Sequence, residues 1–140
     1  IEGTKSRSPN SKEAFPDVIN PDPPKELLDE HGQAEFTRMA KVLSKNGLLT
    51  EADLSLFTAY SMVWQKIVWA QMRFVNGEED MTQINVNTGH ESKSGTLAMQ
   101  ETAITQLIKL ASEFGMSPVA RTRAAAIQNK KAGDGWDDFE

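Results

Sequence analysis

Cysteine is absent from the 140 residues, so the chain can form neither a disulfide nor a zinc site built on thiolates. That absence suits a reducing compartment. Histidine occurs only as His31 and His90, far apart in sequence. A lone histidine is far more often structural or exposed than a metal ligand. No G-x-x-x-x-G-K phosphate loop occurs, which excludes an ATPase site of that kind. Serine and threonine are plentiful, but nothing marks an activated nucleophile. The acidic runs Glu78-Glu79-Asp80 and Asp137-Asp138 read as solvated charge rather than a catalytic pair. The residues therefore give no positive case for an enzyme, and no cofactor or metal is expected. Nor is there a membrane-spanning run. The most apolar stretch, 54–75, is broken by Ser55, Thr58, Ser61, Gln65, Lys66, Gln71 and Arg73. The N-terminus is polar and basic with no apolar run behind it, so no secretory signal is expected. It opens on Ile rather than Met, as a trimmed or processed chain would.

What is present suits one domain with tails. Apolar residues make up 39% and charged residues 25%, enough for a core but lean. The net charge is −5 and the pI about 5.1, whereas a protein that simply coats DNA would be basic. Contact with nucleic acid would have to come from local basic patches.

Residues 1–22 read as a flexible basic arm, with Lys5, Arg7 and Lys12 among Ser, Asn and Pro. Pro23-Pro24 can open a first helix running to about Lys45. Its apolar face would be Leu27, Leu28, His31, Phe36, Met39, Ala40 and Leu43, and Asn46-Gly47 would end it. Thr50 followed by Glu51 and Asp53 is a start signal for a second helix that ends at Asn76-Gly77. Two stripes line it: Phe57, Ser61, Trp64, Val68 and Val75, then Leu56, Tyr60, Val63, Ile67, Ala70 and Phe74. A helix apolar on two sides needs two partners. Phe57, Tyr60, Trp64, Ile67 and Val68 are therefore candidates for contact with a neighbouring subunit. Residues 78–95 hint at a short hairpin or irregular loop, with a turn at Asn87-Thr88-Gly89. A third helix is expected over 96–114, facing inward through Leu97, Ile104, Leu107, Ile108, Ala111 and Phe114. Gly115 stops it. Ser117 caps and Pro118 opens a fourth helix that fades near Lys131. The expected fold class is thus mainly α, three to four helices with a small β-hairpin or loop. The core domain spans 23–131, and an acidic tail covers 132–140.

The junction EFGMSPVARTR admits two readings. As a helix-turn-helix, Ala111, Gly115 and Ser117 supply the small residues and the turn, and the following helix would enter a major groove. Against it, the preceding helix is long, and Arg121 falls near a position that should pack inward. The other reading comes from resemblance. PDPP before the first helix, NGLLTEADLSLFTAYSMVW, a variable insert ending in glycine, and LIKLASEFGMSPVARTR occur in that order. Together they resemble the P27-type family of phage terminase small subunits over roughly residues 22–126. Met116-Ser117 stands where Leu-Thr is commoner, and Ala124 where a larger apolar residue is common.

The resemblance implies a ring-shaped homo-oligomer in the host cytoplasm. It would bind double-stranded viral DNA and present it to the large terminase subunit, whose ATPase and nuclease it would regulate without activity of its own. The candidate DNA-binding residues are Arg121, Arg123, Lys130 and Lys131, aided by Lys5, Arg7, Lys12 and Lys93. From Gly115 to Lys131 there is no acid, and from Ala132 on there is no base. In that acidic tail, Trp136 and Phe139 are the candidate partner-binding residues. A transcription regulator built on the junction, and a helical adaptor without a DNA role, are the competing function classes.

Overall fold

The computed structural model describes residues 15–119 and 121–122. Its elements are α1 (Glu30–Lys45), a 3₁₀ turn (Glu51–Asp53), α2 (Leu54–Val75), strands β1 (Thr82–Ile84) and β2 (Glu91–Lys93), and α3 (Gly95–Glu113). The chain is mainly helical with a small antiparallel hairpin, as the sequence led us to expect. α2 is the central element, with α1 and α3 both packed against it.

Glycine sets each helix end. After α1, Gly47 takes φ +63°, its N–H donates to Ser44 O at 3.1 Å, and the Leu48 N–H donates to Leu43 O at 2.9 Å. The same pair of bonds recurs after α2 at Gly77 and after α3 at Gly115. This 6→1 and 5→2 pattern satisfies carbonyls that would otherwise have no helical partner, and its left-handed residue favours glycine.

The start of α1 departs from expectation. Pro24 O accepts the N–H groups of Leu27 and Leu28, making a single turn. Asp29 then leaves the helical region at ψ −178°, and its carboxylate accepts the Gly32 N–H at 2.9 Å. A good cap a turn and more after the prolines thus sets the true start. The preceding segment also corrects the expected arm. Val18 N–H donates to Leu49 O at 2.9 Å, Ser44 Oγ donates to Val18 O at 3.0 Å, and Asp17 bridges Thr50. Residues 17–20 are therefore docked on the body.

The core forms where α1, the start of α2 and the end of α3 meet. Leu28, Phe36, Met39, Ala40, Leu43, Leu49, Phe57, Tyr60 and Phe114 form one buried cluster. Phe57 lies 4.6 Å from Phe36 and 5.7 Å edge-on from Phe114, measured between ring centroids. Burying side chains of this size contributes roughly 1.5–3 kcal/mol each. One carboxylate lies among them. Glu35, 5% exposed, accepts the Tyr60 hydroxyl at 2.7 Å and a two-pronged contact from Arg38 at 2.8 and 2.9 Å.

α3 turns Leu107, Ala111 and Phe114 of its expected face to the core, but not Ile104 and Ile108. Gln100 and Ala103 are buried, while Ile104 and Ile108 are 41% and 61% exposed. Ala103 and Ala70 of α2 are both almost fully buried, as expected where small side chains let two helices approach closely. Gln100 Nε2 donates to Gln71 Oε1 at 3.0 Å and to Ile67 O at 3.4 Å. The hairpin pairs Thr82 with Lys93, Gln83 with Ser92 and Ile84 with Glu91, and both strands are wholly exposed.

Candidate functional site

The junction after α3 is built from two adjacent signals. Gly115, at φ +68°, closes α3, with the Met116 N–H donating to Ala111 O at 3.0 Å. Met116 packs against the core cluster and fixes the exit direction. A new helical turn opens at Pro118, where the Arg121 N–H donates to Ser117 O at 3.0 Å and Thr122 Oγ1 to Pro118 O at 2.9 Å. Arg121 is exposed, and its Nη1 donates to Met116 O at 3.0 Å. It does not pack inward, as a helix-turn-helix would require at that position. Arg123, Lys130 and Lys131, in the segment expected to continue this helix, lie outside the described residues. So do Lys5, Arg7 and Lys12, and Trp136 and Phe139 of the acidic tail.

Lys93 sits on β2, just before α3, and its Nζ is paired with the Glu101 carboxylate. A phosphate would have to compete with that partner. Lys93 and Arg121 flank opposite ends of α3, a helix of 19 residues and about 28 Å, so one subunit does not bring them into one patch.

The candidate interface residues divide. Phe57 and Tyr60 are 0% and 5% exposed inside the subunit's own core, leaving no surface to offer a neighbour. Trp64, Ile67 and Val68 are half-buried. The two apolar sides of α2 are met largely by α1 and α3 of the same chain. What stays open on α2 is a different set: Leu56, Met62, Trp69, Met72 and Val75, from 37% to 72% exposed. Ile104 and Ile108, four apart on α3, extend the exposed apolar surface. Sequence reading missed Trp69 and Met72. Their signal was the cation pattern of Lys66 and Arg73 spaced around Trp69 at three and four residues, which marks a solvated helix edge.

Trp69 and Met72 line an open cleft of about 230 Å³ between the end of α2 and the start of α1. Asp29, His31, Arg73 and Glu78 also border it. The Arg73 guanidinium stands 4.9 Å from the Trp69 ring centroid, a cation–π distance. Glu79 Oε2 accepts from Arg73 Nε at 3.0 Å, and Glu78 lies 3.5 Å from Arg73 Nη1. A hydrogen bond from Thr96, then the Arg73 contact, hold the Glu79 carboxyl below the usual carboxylate range. Among the described residues no cluster of His, Cys, Asp and Glu could hold a metal ion. No described helix is long and apolar enough to cross a membrane.

Residues 32–131, well over half of the chain, match the model of the family described as phage terminase, small subunit. Comparison with curated proteins and with solved structures gave no match. The matched span runs from the first turns of α1 through the glycine-terminated α3 and across the basic junction. The chain belongs to the phage terminase small-subunit family.

Proposed function

We propose that this chain binds viral DNA through the basic segment that follows Gly115, and that it regulates the large terminase subunit as a homo-oligomer. Membership of the family implies a role in phage DNA packaging, in an infected host cell. The observation that carries the finer reading is where the charge lies. Residues 15–122 hold nine Lys and Arg against 14 Asp and Glu, a net −5, so the helical body repels phosphate. By contrast Arg121, Arg123, Lys130 and Lys131 follow one another with no acid between. The glycine turn and the exposed Arg121 aim the start of that segment away from the core. Lys5, Arg7 and Lys12 give residues 1–14 a smaller positive balance. The chain has no catalytic activity in this reading, and the ATPase and nuclease belong to the large subunit. Trp136 and Phe139, set among acids, are the proposed contact with that subunit.

The test is a DNA titration at several salt concentrations, wild type against Arg121→Ala/Arg123→Ala. Neutralising phosphates releases counterions, so affinity falls steeply with salt, and the slope flattens by roughly 0.9 for each phosphate that the variant no longer neutralises. The double variant is expected to bind cognate and scrambled DNA more weakly by about the same factor. Equal salt slopes in the two proteins remove these arginines from the DNA surface. Weakening confined to cognate DNA would instead indicate base reading, worth roughly 1–3 kcal/mol per bidentate pair. For the tail, deleting 134–140 is expected to preserve assembly and DNA binding while weakening stimulation of the large subunit's ATPase. Full stimulation by the shortened chain would rule the tail out as that contact.

A further inference from the structure

The cleft at the end of α2 joins two features that the proposed function leaves unused. Its apolar part is Trp69 and Met72, 48% and 44% exposed in a chain with few aromatics. Around it stand Asp29, Glu30, Glu78 and Glu79, with Asp80 next to Glu79 in sequence and Arg73 the one cation among them. Arg73 is already shared between Glu78 and Glu79. The site is therefore strongly negative around an aromatic ring, the setting that favours an arginine or lysine side chain.

The chain carries a matching segment. Residues 1–14 contain Lys5, Arg7 and Lys12 against Glu2 and Glu13, with both acids outside the 5–12 stretch that carries the three cations, and no aromatic residue. The described chain begins beside the opposite end of α2, where the Glu51 N–H donates to Pro16 O at 3.2 Å. Trp69 lies 15 residues along α2 from Leu54, about 22 Å at the helical rise. Arg7 lies eight residues before Phe15, which spans about 26 Å when extended. The length of chain is therefore enough for Arg7 to reach Trp69 and for Lys5 to reach the carboxylates beyond it.

We infer that the Trp69 cleft is the seat of this chain's own basic arm, residues 1–14. Charge complementarity and reach both select this occupant. The seat does not depend on the DNA-binding reading, since it can form whether or not the arm later meets phosphate.

The absence of cysteine makes the test clean. Ser6→Cys with Met72→Cys places one thiol on the arm and one in the cleft, because one extended residue before Arg7 matches three helical residues beyond Trp69 to within about 1 Å. Ser6→Cys with Val42→Cys is the comparison, because Val42 is exposed on α1 about 17 Å from the cleft end of that helix. Under mild oxidation in low salt, the cleft pair is expected to close within single chains about tenfold faster than the comparison pair, because the seat raises local concentration. Adding Glu30→Lys and Asp80→Lys, two exposed positions, or raising salt to about 0.5 M is expected to remove that advantage. Equal rates in the two pairs would overturn the inference. So would a ladder of linked chains, which would assign the cleft to a neighbour's arm. Neither result bears on the salt titration of DNA binding, so the two readings fail separately.

Discussion

Glu35 is the residue on which the packing of α1 against α2 is most sharply poised. Its carboxylate is buried, and the Tyr60 hydroxyl and the Arg38 guanidinium answer it. A buried charge that loses a donor keeps its desolvation cost, so the two partners matter more than an average hydrogen bond. Tyr60→Phe should therefore cost about 1.5–3 kcal/mol, read as a shift in the urea midpoint. Burial first, then the hydrogen bond to Glu35, push the Tyr60 phenol well above its ordinary value near 10. A folded-state value above the unfolded one gives stability that is whole below about pH 10 and is lost as pH rises, because only the unfolded chain can release the proton. The loss approaches about 1.4 kcal/mol per pH unit. Tyr60 is the only tyrosine, so the difference between wild type and Tyr60→Phe isolates it. That difference should shrink between about pH 10 and 11. A constant gap across that range would mean that the phenol is not held in the folded protein.

At the level of elements, what was legible in the sequence was mostly what single residues dictate locally. Asn46-Gly47, Asn76-Gly77 and Gly115 each marked a helix end, because the left-handed cap strongly favours glycine. Thr50 with Asp53 marked a start, and both the Thr50 hydroxyl and N–H do bond the Asp53 carboxylate, at 2.8 and 3.0 Å. Choices that depend on a partner were not legible. Pro23-Pro24 and Asp29 are both acceptable start signals, and the chain uses the cap nearer the buried face of Phe36. On α3 the spacing placed Leu107, Ala111 and Phe114 inward correctly, but Ala103 is buried while the larger Ile104 and Ile108 face out, because which apolar positions are covered depends on the helix packed alongside. The same limit hid the cleft, whose walls come from the start of α1 and the end of α2. Gly115→Ala tests the local rule. An added Cβ at that position meets nothing within 4 Å, so its whole cost is backbone strain at φ +68°. The expected cost is about 1 kcal/mol in a thermal or urea melt. DNA affinity should fall as well if Arg121 is the group the turn positions. A melt unchanged by the substitution would show that the turn relaxes freely.

At the scale of the whole molecule, the −5 charge of the helical body sets the terms for any DNA role. One subunit offers a short basic segment against an acidic background, so in the proposed homo-oligomer the affinity for DNA would come from repetition. Once one subunit of an assembly is engaged, its neighbours bind at high effective concentration, which can raise affinity by roughly 10²–10⁴ with the same contacts per subunit. The surface that assembles the subunits is then as important for DNA as the arginines themselves. Ile108 is the sharpest probe of that surface, because it is 61% exposed, apolar and not part of the core cluster. In an isolated subunit Ile108→Glu should alter stability by no more than about 0.5 kcal/mol, since an exposed helix position tolerates glutamate. In an interface the same charge would be buried without a partner, at a cost of several kcal/mol. The expected result is a lower mass by native mass spectrometry, an unchanged helical signal, and DNA binding weakened by at least about tenfold as avidity disappears. A variant that keeps the wild-type mass would move the interface to the exposed Leu56 and Met62 of α2. One that loses mass but binds DNA as before would show that each subunit acts alone, and would end the avidity argument.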